Sequence, residues 1–368
     1  FQMVCSAAIL SSSLALSLLR HSAPPSESFL FSPYSFNTAL SIVHDGAHGN
    51  TQQELTDVLL NGCTPTDVTA FYSSLAHSFS SSNESQVAFK SANRFYVDNS
   101  ISLEKDYQKH VEKKYKVKVD NGIDLQDTTH AANEMNQFIE EATNGMIKNM
   151  IKADEIDDDH KAILINAIHF LGKWKHPFNP TSTHNGTFYG ASGNREMEFM
   201  LQDEATFRVN RDKQLGTALI VPYQDEQYNL FYLIPSRDSN LETMRNSLTG
   251  ESLLKLIREA KDWDVEIIVP KFKLESELDG VKALKKMGVN TVFSHSADLS
   301  KISSTHLRID TIQHNAVIEI DEQGTKAAAA TVHKFTFFSG GPPTIVIDRP
   351  FLFGTIRNED ILFLGQYV

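Results

Sequence analysis

DEQGTKAAAATVHKFTFFS, residues 321–339, is the most informative segment of the chain. Four alanines follow a Gly-Thr-Lys, and a cluster of phenylalanines comes after them. Alanine is the best helix former, yet this run lies between Gly324 and the β-favouring residues Thr331 and Val332. On composition alone the segment is an Ala-rich helix, a spacer, or a strand that forms only under some conditions.

The residues just before this segment alternate in the manner of a β-strand. In HNAVIEIDE, residues 314–322, one face carries Ala316, Ile318 and Ile320 and the other carries Val317, Glu319 and Asp321. If the strand pattern continued beyond a hinge at Gly324, one face would carry the small, uncharged Thr325, Ala327, Ala329 and Thr331. The opposite face would carry Lys326, Ala328, Ala330 and Val332. A strand that forms only under some conditions must bury one face in a core that is already packed. Small, uncharged side chains can enter such a core without overpacking it, and this alternation places them all on one face.

Length and charge restrict the class of protein. The chain has 368 residues, of which 41% are hydrophobic. A length above about 250–300 residues favours two domains, but no linker divides the sequence, so we predict one domain, residues 1–368. The net charge of −12 argues against nucleic acid as a partner. No run is long and apolar enough to predict a membrane span.

Helical patterns dominate the first half of the chain and strand patterns the second. TQQEL, residues 51–55, offers a capping box of Thr51 and Glu54 at the start of a helix. KAILINAIHF, residues 161–170, predicts a strand buried on both faces. TALIVPY and YNLFYLIP predict a hairpin, VEIIVPKFKLE predicts a strand pair or a bent strand, and the C-terminus predicts three short strands. Because helices and strands do not alternate regularly, the predicted class is α+β.

The sequence contains no catalytic or cofactor motif. It lacks a nucleophile elbow, a zinc-protease helix, a phosphate loop and a dinucleotide fingerprint. None of its 14 histidines lies at metal-ligand spacing beside another type of ligand. We therefore predict no enzyme activity, no cofactor and no metal. The two cysteines, Cys5 and Cys63, make no disulfide framework, and we predict that both are free thiols.

Seven motifs follow one another along nearly the whole chain. They are FLFSPYSFNTAL, GAHGNTQQEL, LINAIHFLGKWKHPF, VEIIVPKFKLE before LKKMGV, ADLSKIS, HNAVIEIDEQGTKAAAAT, and DRPFLFGTI with ILFLGQ. In this order they resemble the serpins, a family of serine-protease inhibitors. The resemblance implies a single α+β domain with a large central β-sheet, two smaller sheets, about nine helices and an exposed reactive loop, here about residues 324–343.

The resemblance also implies a suicide-substrate mechanism. A protease cleaves the reactive loop and forms an acyl-enzyme, and the freed loop then inserts into the central sheet as a new strand. Counting in the family's register from Gly324 gives Phe338–Ser339 as the reactive bond, so the expected partner is a chymotrypsin-like protease with a hydrophobic primary pocket. Phe335 and Phe337 are close enough to shift this register. The family's hinge corresponds to Gly324, Thr325, Ala327, Ala328, Ala329 and Ala330.

Four more positions match functional residues of the family. Ser35, Asn166 and His314 match the shutter, the polar groups beneath the sheet that open to admit the loop, and Trp174 matches the breach, where insertion begins. The hinge departs from the family at Gln323, where a second acidic residue is usual, and at Lys326, where an acidic residue is common. Both changes alter charge more than the ability to insert, so the inhibitory interpretation is kept.

Two alternatives remain open on the sequence. Phe337 would suit papain-like cysteine proteases, which favour a large apolar residue one position before the cleaved one. A non-inhibitory serpin would instead be a carrier, chaperone or storage protein. The lack of an evident leader, the two cysteines and the end at Val368 resemble the intracellular serpins, so we expect a cytoplasmic monomer with the extracellular space as the alternative. Asn83 and Asn185 lie in glycosylation sequons.

Overall fold

The computed structural model describes residues 7–59, 62–80, 87–157, 159–325 and 342–368. Within these ranges the chain forms nine α-helices, the number that the resemblance implies. They are α1 (Ala7–Ser22), α2 (Pro33–Gly46), α3 (Gly49–Leu59), α4 (Pro65–Ser80), α5 (Lys105–Tyr115), α6 (Thr128–Ala142), α7 (Leu241–Ser247), α8 (Gly250–Arg258) and α9 (Gly280–Lys286). None of these described helices has the length and apolar character needed to cross a membrane.

The same ranges contain fifteen β-strands. They are β1 (Phe29–Phe31), β2 (Val87–Asp98), β3 (Lys118–Ile123), β4 (Ala162–Lys173), β5 (His184–Gly190), β6 (Gly193–Asp212), β7 (Gly216–Pro222), β8 (Tyr228–Ile234), β9 (Lys261–Pro270), β10 (Phe272–Asp279), β11 (Thr311–Asp321), β12 (Gly324–Thr325), β13 (Thr344–Val346), β14 (Phe351–Arg357) and β15 (Asp360–Tyr367). Helices and strands are mixed without regular alternation, which confirms the α+β class.

The central sheet has six strands in the order β10-β11-β12-β4-β2-β3. Nearly every side chain of β4 is buried, as predicted for KAILINAIHF, because both faces of the sheet are covered. β11 runs parallel to β4 and pairs with it directly from Thr311 opposite Ile163 to Val317 opposite His169. Beyond the end of this ladder, the short β12 lies between the two strands.

The predicted alternation along β11 is confirmed by the cores on the two faces of the sheet. Ala316, Ile318 and Ile320 pack with the aromatic residues of the second sheet. Val317 points the other way and packs with the buried face of α6, which includes Met135 and Ile139. The strand is therefore buried on both sides, which fixes its register.

The second sheet has nine strands in the order β1-β15-β14-β8-β7-β6-β9-β13, with β5 paired to β6. β6 is 20 residues long and belongs to both halves of this sheet, with a register shift between Gln202 and Ala205. The two smaller sheets that the resemblance implies are thus continuous through β6. The predicted hairpin is β7 with β8. VEIIVPKFKLE crosses from one sheet to the other at Lys271, between β9 and β10.

Two local predictions are wrong. α3 begins at Gly49, so Thr51 lies inside its first turn and forms no capping box with Glu54. Instead, the Thr51 hydroxyl accepts a hydrogen bond from the backbone N–H of Asp298 (2.9 Å), and the Glu54 carboxylate accepts one from Asn290 (2.7 Å). The two side chains cap a neighbouring segment, which a search within one helix could not reveal.

The second wrong prediction concerns the cysteines. Cys63 is disulfide-bonded and is not a free thiol. The sequence contains one other cysteine, Cys5, which lies outside the described residues. Cysteine counting failed here because a pair of cysteines far apart in sequence carries no information about their distance in space.

Candidate functional site

The first two residues of the predicted hinge already form a strand. β12 consists of Gly324 and Thr325, and each residue pairs with β11 on one side and with β4 on the other. The hinge therefore lies between two strands that are in direct contact along the rest of their ladder. The sequence predicted the inward face of Thr325 but not that Gly324 and Thr325 are paired on both sides in the uncut chain.

Only glycine fits the position of Gly324. Its φ angle is +152°, in the region that disfavours side chains. A Cβ atom here would lie 2.0 Å from the carbonyl oxygen of Gly172 and 2.8 Å from Cα of Lys173, both backbone atoms of β4. The close approach of the hinge to β4 thus depends on the absence of a side chain.

Thr325 places its side chain in the core beneath the sheet. It is fully buried, and its hydroxyl lies 2.9 Å from the hydroxyl of Tyr223. The ring of Tyr223 stacks on Trp174, with ring centroids 4.6 Å apart and an interplanar angle of 16°. Burial raises the pKa of Tyr223, so its hydroxyl stays protonated and is able to donate. The small polar side chain of Thr325 is matched to this site in size and in hydrogen bonding.

Trp174, which was predicted at the breach, holds the turn that leads into the hinge. Its indole N–H donates to the carbonyl oxygen of Asp321 (2.9 Å), and its backbone N–H donates to that of Gln323 (3.0 Å). The Asp321 carboxylate accepts hydrogen bonds from the backbone N–H groups of Gln323 (2.8 Å) and Gly324 (3.1 Å). Burial raises the pKa of Asp321. The turn is therefore fixed by one aromatic and one acidic side chain.

Glu322 connects the hinge turn to the second sheet. Its carboxylate accepts hydrogen bonds from the Thr183 hydroxyl (2.8 Å) and from Nζ of Lys271 (3.1 Å), the residue at which the chain crosses between sheets. Burial acts to raise the pKa of Glu322, but hydrogen bonds from its own backbone, Thr183 and Lys271 outweigh burial and lower it. A charged Glu322 thus anchors the base of the loop, a role that the sequence did not indicate.

Three residues predicted in the shutter lie together beneath the central sheet. Ser35, Asn166 and His314 are all fully buried. The amide of Asn166 donates to the hydroxyl of Ser35 (2.6 Å), and its oxygen contacts Nδ1 of His314. We call these residues, together with Asn93, the shutter cluster.

Asn93 is the member of the shutter cluster that sequence reasoning missed. Its side-chain oxygen accepts hydrogen bonds from the Ser35 hydroxyl (3.0 Å) and from the Asn166 amide. Through these contacts the cluster joins α2, β2, β4 and β11. The only signal in the sequence is a polar residue within the strand pattern of β2.

His314 is neutral in this environment. Its Nε2 accepts a hydrogen bond from the backbone N–H of Ser32 (2.9 Å), and the rings of Phe31 and Phe36 meet it edge-on. Burial lowers the pKa of His314 from 6.5 to about 3. A neutral imidazole is required, because Nε2 must be unprotonated to accept from Ser32.

The remaining predicted loop residues lie outside the described residues. They are Lys326, Ala327, Ala328, Ala329, Ala330, Phe335, Phe337, Phe338 and Ser339. The described chain resumes on the other side of the loop, where the carbonyl oxygen of Pro343 accepts a hydrogen bond from Glu266 (3.2 Å) and β13 pairs in parallel with β9. The loop is thus attached to the central sheet at one end and to the second sheet at the other.

One group of metal-ligand types was missed by the search for spacing motifs. Asp157, Asp159 and His160 place one ligand atom each within 4.8 Å of one another. Both aspartates are exposed, and Asp159 is 2.9 Å from Nη2 of Arg308. An exposed acidic loop that already has a cationic partner is explained by ion pairing, and we propose no metal for it.

Comparison with known proteins places this geometry in a family. Residues 10–368 match the family model described as "Serpin (serine protease inhibitor)". A "Serine protease inhibitor" of Cyanea capillata is 29% identical over 98% of this chain and 97% of its own length. "Iripin-1" of Ixodes ricinus is 30% identical over 93% of this chain and 89% of its own length. The Cyanea relative is named as an inhibitor rather than as an enzyme.

Solved structures support the same assignment of the fold. The highly specific Serpin48 of the insect Tenebrio molitor has a TM-score of 0.86 and 26% identity, and the match covers 100% of this chain and 98% of that one. Human thyroxine-binding globulin, solved with its thyroxine ligand, has a TM-score of 0.89 and 25% identity, with 98% of both chains covered.

Proposed function

The chain belongs to the serpin family, and from its hinge we propose that it is a suicide-substrate inhibitor of chymotrypsin-like serine proteases. The observation that carries this proposal is the strand β12. Gly324 and Thr325 lie between β4 and β11, and the Thr325 side chain is accepted by the core at Tyr223. Insertion of the loop would lengthen β12 between β4 and β11, and the two strands would separate along the ladder that now joins them.

The proposed chemistry begins with attack on the loop. The protease's serine hydroxyl attacks the carbonyl carbon of Phe338, the bond to Ser339 breaks, and the new amino group of Ser339 leaves with the C-terminal segment. Phe338 remains bound to the enzyme as an ester. Insertion of the freed loop then carries the ester and the enzyme away before water can hydrolyse it. Phe338 suits a hydrophobic primary pocket, whereas a pocket with an aspartate would favour arginine or lysine.

Incubation with chymotrypsin tests the proposal directly. A denaturing gel should show a covalent complex, and mass analysis should show that the released peptide begins at Ser339. Phe338→Arg should weaken inhibition of chymotrypsin and introduce inhibition of trypsin. A released peptide with another first residue would contradict the assignment of Phe338 and would identify the residue that replaces it. Complete cleavage without any complex would contradict the inhibitory function.

A second candidate function is favoured by the likeness to thyroxine-binding globulin, which binds a small molecule. In this case the chain would be a carrier. Chymotrypsin would cleave the loop and leave without forming a covalent complex. Papain-like cysteine proteases are an alternative partner because of Phe337, and a parallel incubation with papain tests them. The gel distinguishes the three outcomes, since each enzyme gives either a complex or a cleaved product.

We also propose that residues 1–368 form one domain and that the chain is a monomer outside the cell. The cytoplasmic prediction rested in part on free cysteines, and Cys63 is disulfide-bonded. Structural disulfides persist in oxidising compartments. Asn185 is exposed on β5, so its sequon is accessible to glycosylation. Thiol alkylation of the protein from its native source should leave Cys63 unmodified until a reductant is added. Immediate alkylation would favour the cytoplasm.

A further inference from the structure

Three helices of the described chain end close together, and each has a basic residue in its last turn. These residues are Arg20 of α1, Arg245 of α7 and Lys286 of α9. The C-terminus of a helix carries a partial negative charge and unpaired carbonyl groups. The convergence of three such ends explains why three cations are found in one place.

The two arginines cap each other's helix. Arg20 donates from Nε to the carbonyl oxygen of Arg245 (2.9 Å) and from Nη2 to that of Leu248. Arg245 donates in return from Nη2 to the carbonyl oxygens of Leu19 (3.2 Å) and Ala23 (2.9 Å). Nζ of Lys286 donates to the carbonyl oxygen of His21 (2.8 Å), which joins the third helix to the same point. We call Arg20, Arg245 and Lys286 the basic triad.

Carbonyl groups do not neutralise this charge completely. Within the residues that the structure describes, no carboxylate forms an ion pair with any member of the basic triad. Arg245 is only 3% exposed, and its Nε and Nη1 have no hydrogen-bond partner in the described part of the chain. Buried donors on a charged group are costly when left unpaired. Burial lowers the pKa of both arginines, and for Arg245 the positive charge of Arg20 adds to this effect.

A cavity of 410 Å³ adjoins the basic triad. All three of its members line the wall, and among the described residues the one carboxylate on that wall belongs to the exposed Glu242. The negative charge of Glu242 acts to raise the pKa of Arg245, but burial and the positive charge of Arg20 outweigh it, and the pKa is lowered. The cavity therefore has three cationic groups to one anionic group, and it is large enough for a tetrahedral oxyanion and its first waters.

We propose that this cavity binds a phosphate or sulfate group. Guanidinium groups recognise such oxyanions through several N–H donors, and a lysine ammonium adds a mobile point charge. An anion in the cavity would supply the negative charge that the basic triad lacks. Binding at this site requires neither protease inhibition nor loop insertion.

The thermal unfolding midpoint of the uncut protein tests this proposal. Inorganic phosphate and inorganic sulfate, titrated at constant ionic strength set with chloride, should each raise the midpoint in a saturable manner, because a ligand that binds only the folded state stabilises it. Lys286→Gln should weaken the apparent affinity by about tenfold, which corresponds to the loss of one charge-assisted contact. Arg245→Met should weaken it as well, because it removes a buried positive charge beside the cavity. Lys255→Gln on α8, an exposed residue with the same change of charge, should leave it unchanged.

Failure of Arg245→Met to fold would leave the test intact, because Lys286 is exposed and its substitution removes only one backbone hydrogen bond. A midpoint that responds equally to phosphate, sulfate and chloride would overturn the proposal. So would an unchanged phosphate affinity in Lys286→Gln.

A final arm of the experiment identifies the source of the oxyanion. A second cavity of 490 Å³ shares Pro25 and Glu242 with the first and is lined by the apolar groups of Tyr189, Pro235 and Leu241. Phenyl phosphate that binds more tightly than inorganic phosphate would identify an ester with an apolar body as the ligand class. Equal affinities would identify the free oxyanion.

Discussion

Thr325 is the single residue on which the first step of the proposed mechanism depends. Its side chain is fully buried against Tyr223 in a fold whose loop is uncut, so the core accepts this position before insertion proceeds. The size and neutrality of one side chain therefore control the first step of the proposed mechanism. A charge introduced here would have no partner beneath the sheet.

We predict that Thr325→Arg converts the inhibitor into a substrate. In the uncut protein the arginine would be expelled from the place that Thr325 occupies beside Tyr223, so insertion would have to bury it. An unpaired buried charge costs about 3–5 kcal/mol, and about 1.4 kcal/mol is enough to slow a step tenfold. Insertion should then be slower than hydrolysis of the acyl-enzyme. The measurement is the number of inhibitor molecules cleaved per molecule of chymotrypsin trapped, which should rise at least tenfold.

Lys326→Glu is the matched control. Lys326 lies outside the described residues, and a strand that continued from Thr325 would place it on the outward face of the sheet. Its charge would remain in water, so the ratio of cleaved inhibitor to trapped enzyme should change by less than about twofold. Equal losses of complex in the two variants would refute the strand alternation on which the mechanism depends.

His314 gives the second residue-scale prediction, which concerns pH. Its pKa is about 3 in the folded protein and 6.5 without burial, so the unfolded chain binds the proton more readily. The stabilising effect of the neutral ring is complete above pH 6.5 and is lost as the pH falls towards 3, by about 1.4 kcal/mol per pH unit.

The thermal unfolding midpoint of the natural protein should therefore fall more steeply between pH 6.5 and 4.5 than that of His314→Gln. Both proteins contain the same carboxylates, and their titration cancels in the comparison. Parallel pH profiles would mean that His314 is not the group responsible.

At the scale of elements, patterns of hydrophobic residues are sufficient to predict several strands and their buried faces. The alternation in residues 314–322 predicted both faces of β11 correctly, because each face meets its own core. KAILINAIHF and the β7–β8 hairpin were predicted for the same reason, since local hydrophobic order follows directly from burial.

The sequence patterns failed to predict contacts that join distant parts of the chain. Thr51 and Glu54 have the spacing of a capping box but cap residues 290–298. Asn93 joins the shutter cluster through β2, and Glu322 meets Lys271 across two sheets. The partial insertion of β12 depends on the distance between β4 and β11, which no local pattern encodes. Motif matching found Ser35, Asn166, His314 and Trp174, but their proposed roles remain predictions.

We predict that Gly324→Ala expels β12 from between its neighbours. A Cβ atom would clash with the backbone of β4 at Gly172, and backbone cannot move aside as a flexible side chain can. Thr325 would then leave Tyr223, and Trp174, which stacks on Tyr223, would become more accessible to water. Its fluorescence should shift to longer wavelength, measured in a Trp263→Phe background that removes the other tryptophan.

Gly288→Ala is the control for this experiment. Gly288 also has a positive φ, +97°, but a Cβ atom added there would have no neighbouring atom within 4 Å, so the substitution strains the backbone without expelling a strand. An emission spectrum of Gly324→Ala that matches this control would show that β12 does not depend on the absence of a side chain.

At the scale of the whole molecule, the direct ladder between β4 and β11 is the part of the central sheet that loop insertion would have to open. An inserted loop would replace this one parallel ladder with two antiparallel ladders, for a net gain of one set of strand contacts. Roughly a dozen residues at about 0.5–1.5 kcal/mol per hydrogen bond give on the order of 10 kcal/mol. This is comparable to the stability of a whole domain, so the uncut fold is expected to be held by a kinetic barrier.

The free energy released by insertion can be measured when the loop is cut by a protease that the protein does not trap. A metalloprotease forms no acyl-enzyme, so it should cut the loop and leave the protein free to insert it. A gain on the order of 10 kcal/mol should raise the thermal unfolding midpoint by roughly 10–20 °C in a chain of this length. Calorimetry of the cut and uncut proteins measures the difference, and N-terminal sequencing confirms that the cut lies in the loop. Thr325→Arg should show a smaller rise, because its charge opposes the inserted state. If the midpoint of the natural protein does not change after confirmed cleavage, the loop does not insert, and the carrier function becomes the better explanation of this serpin.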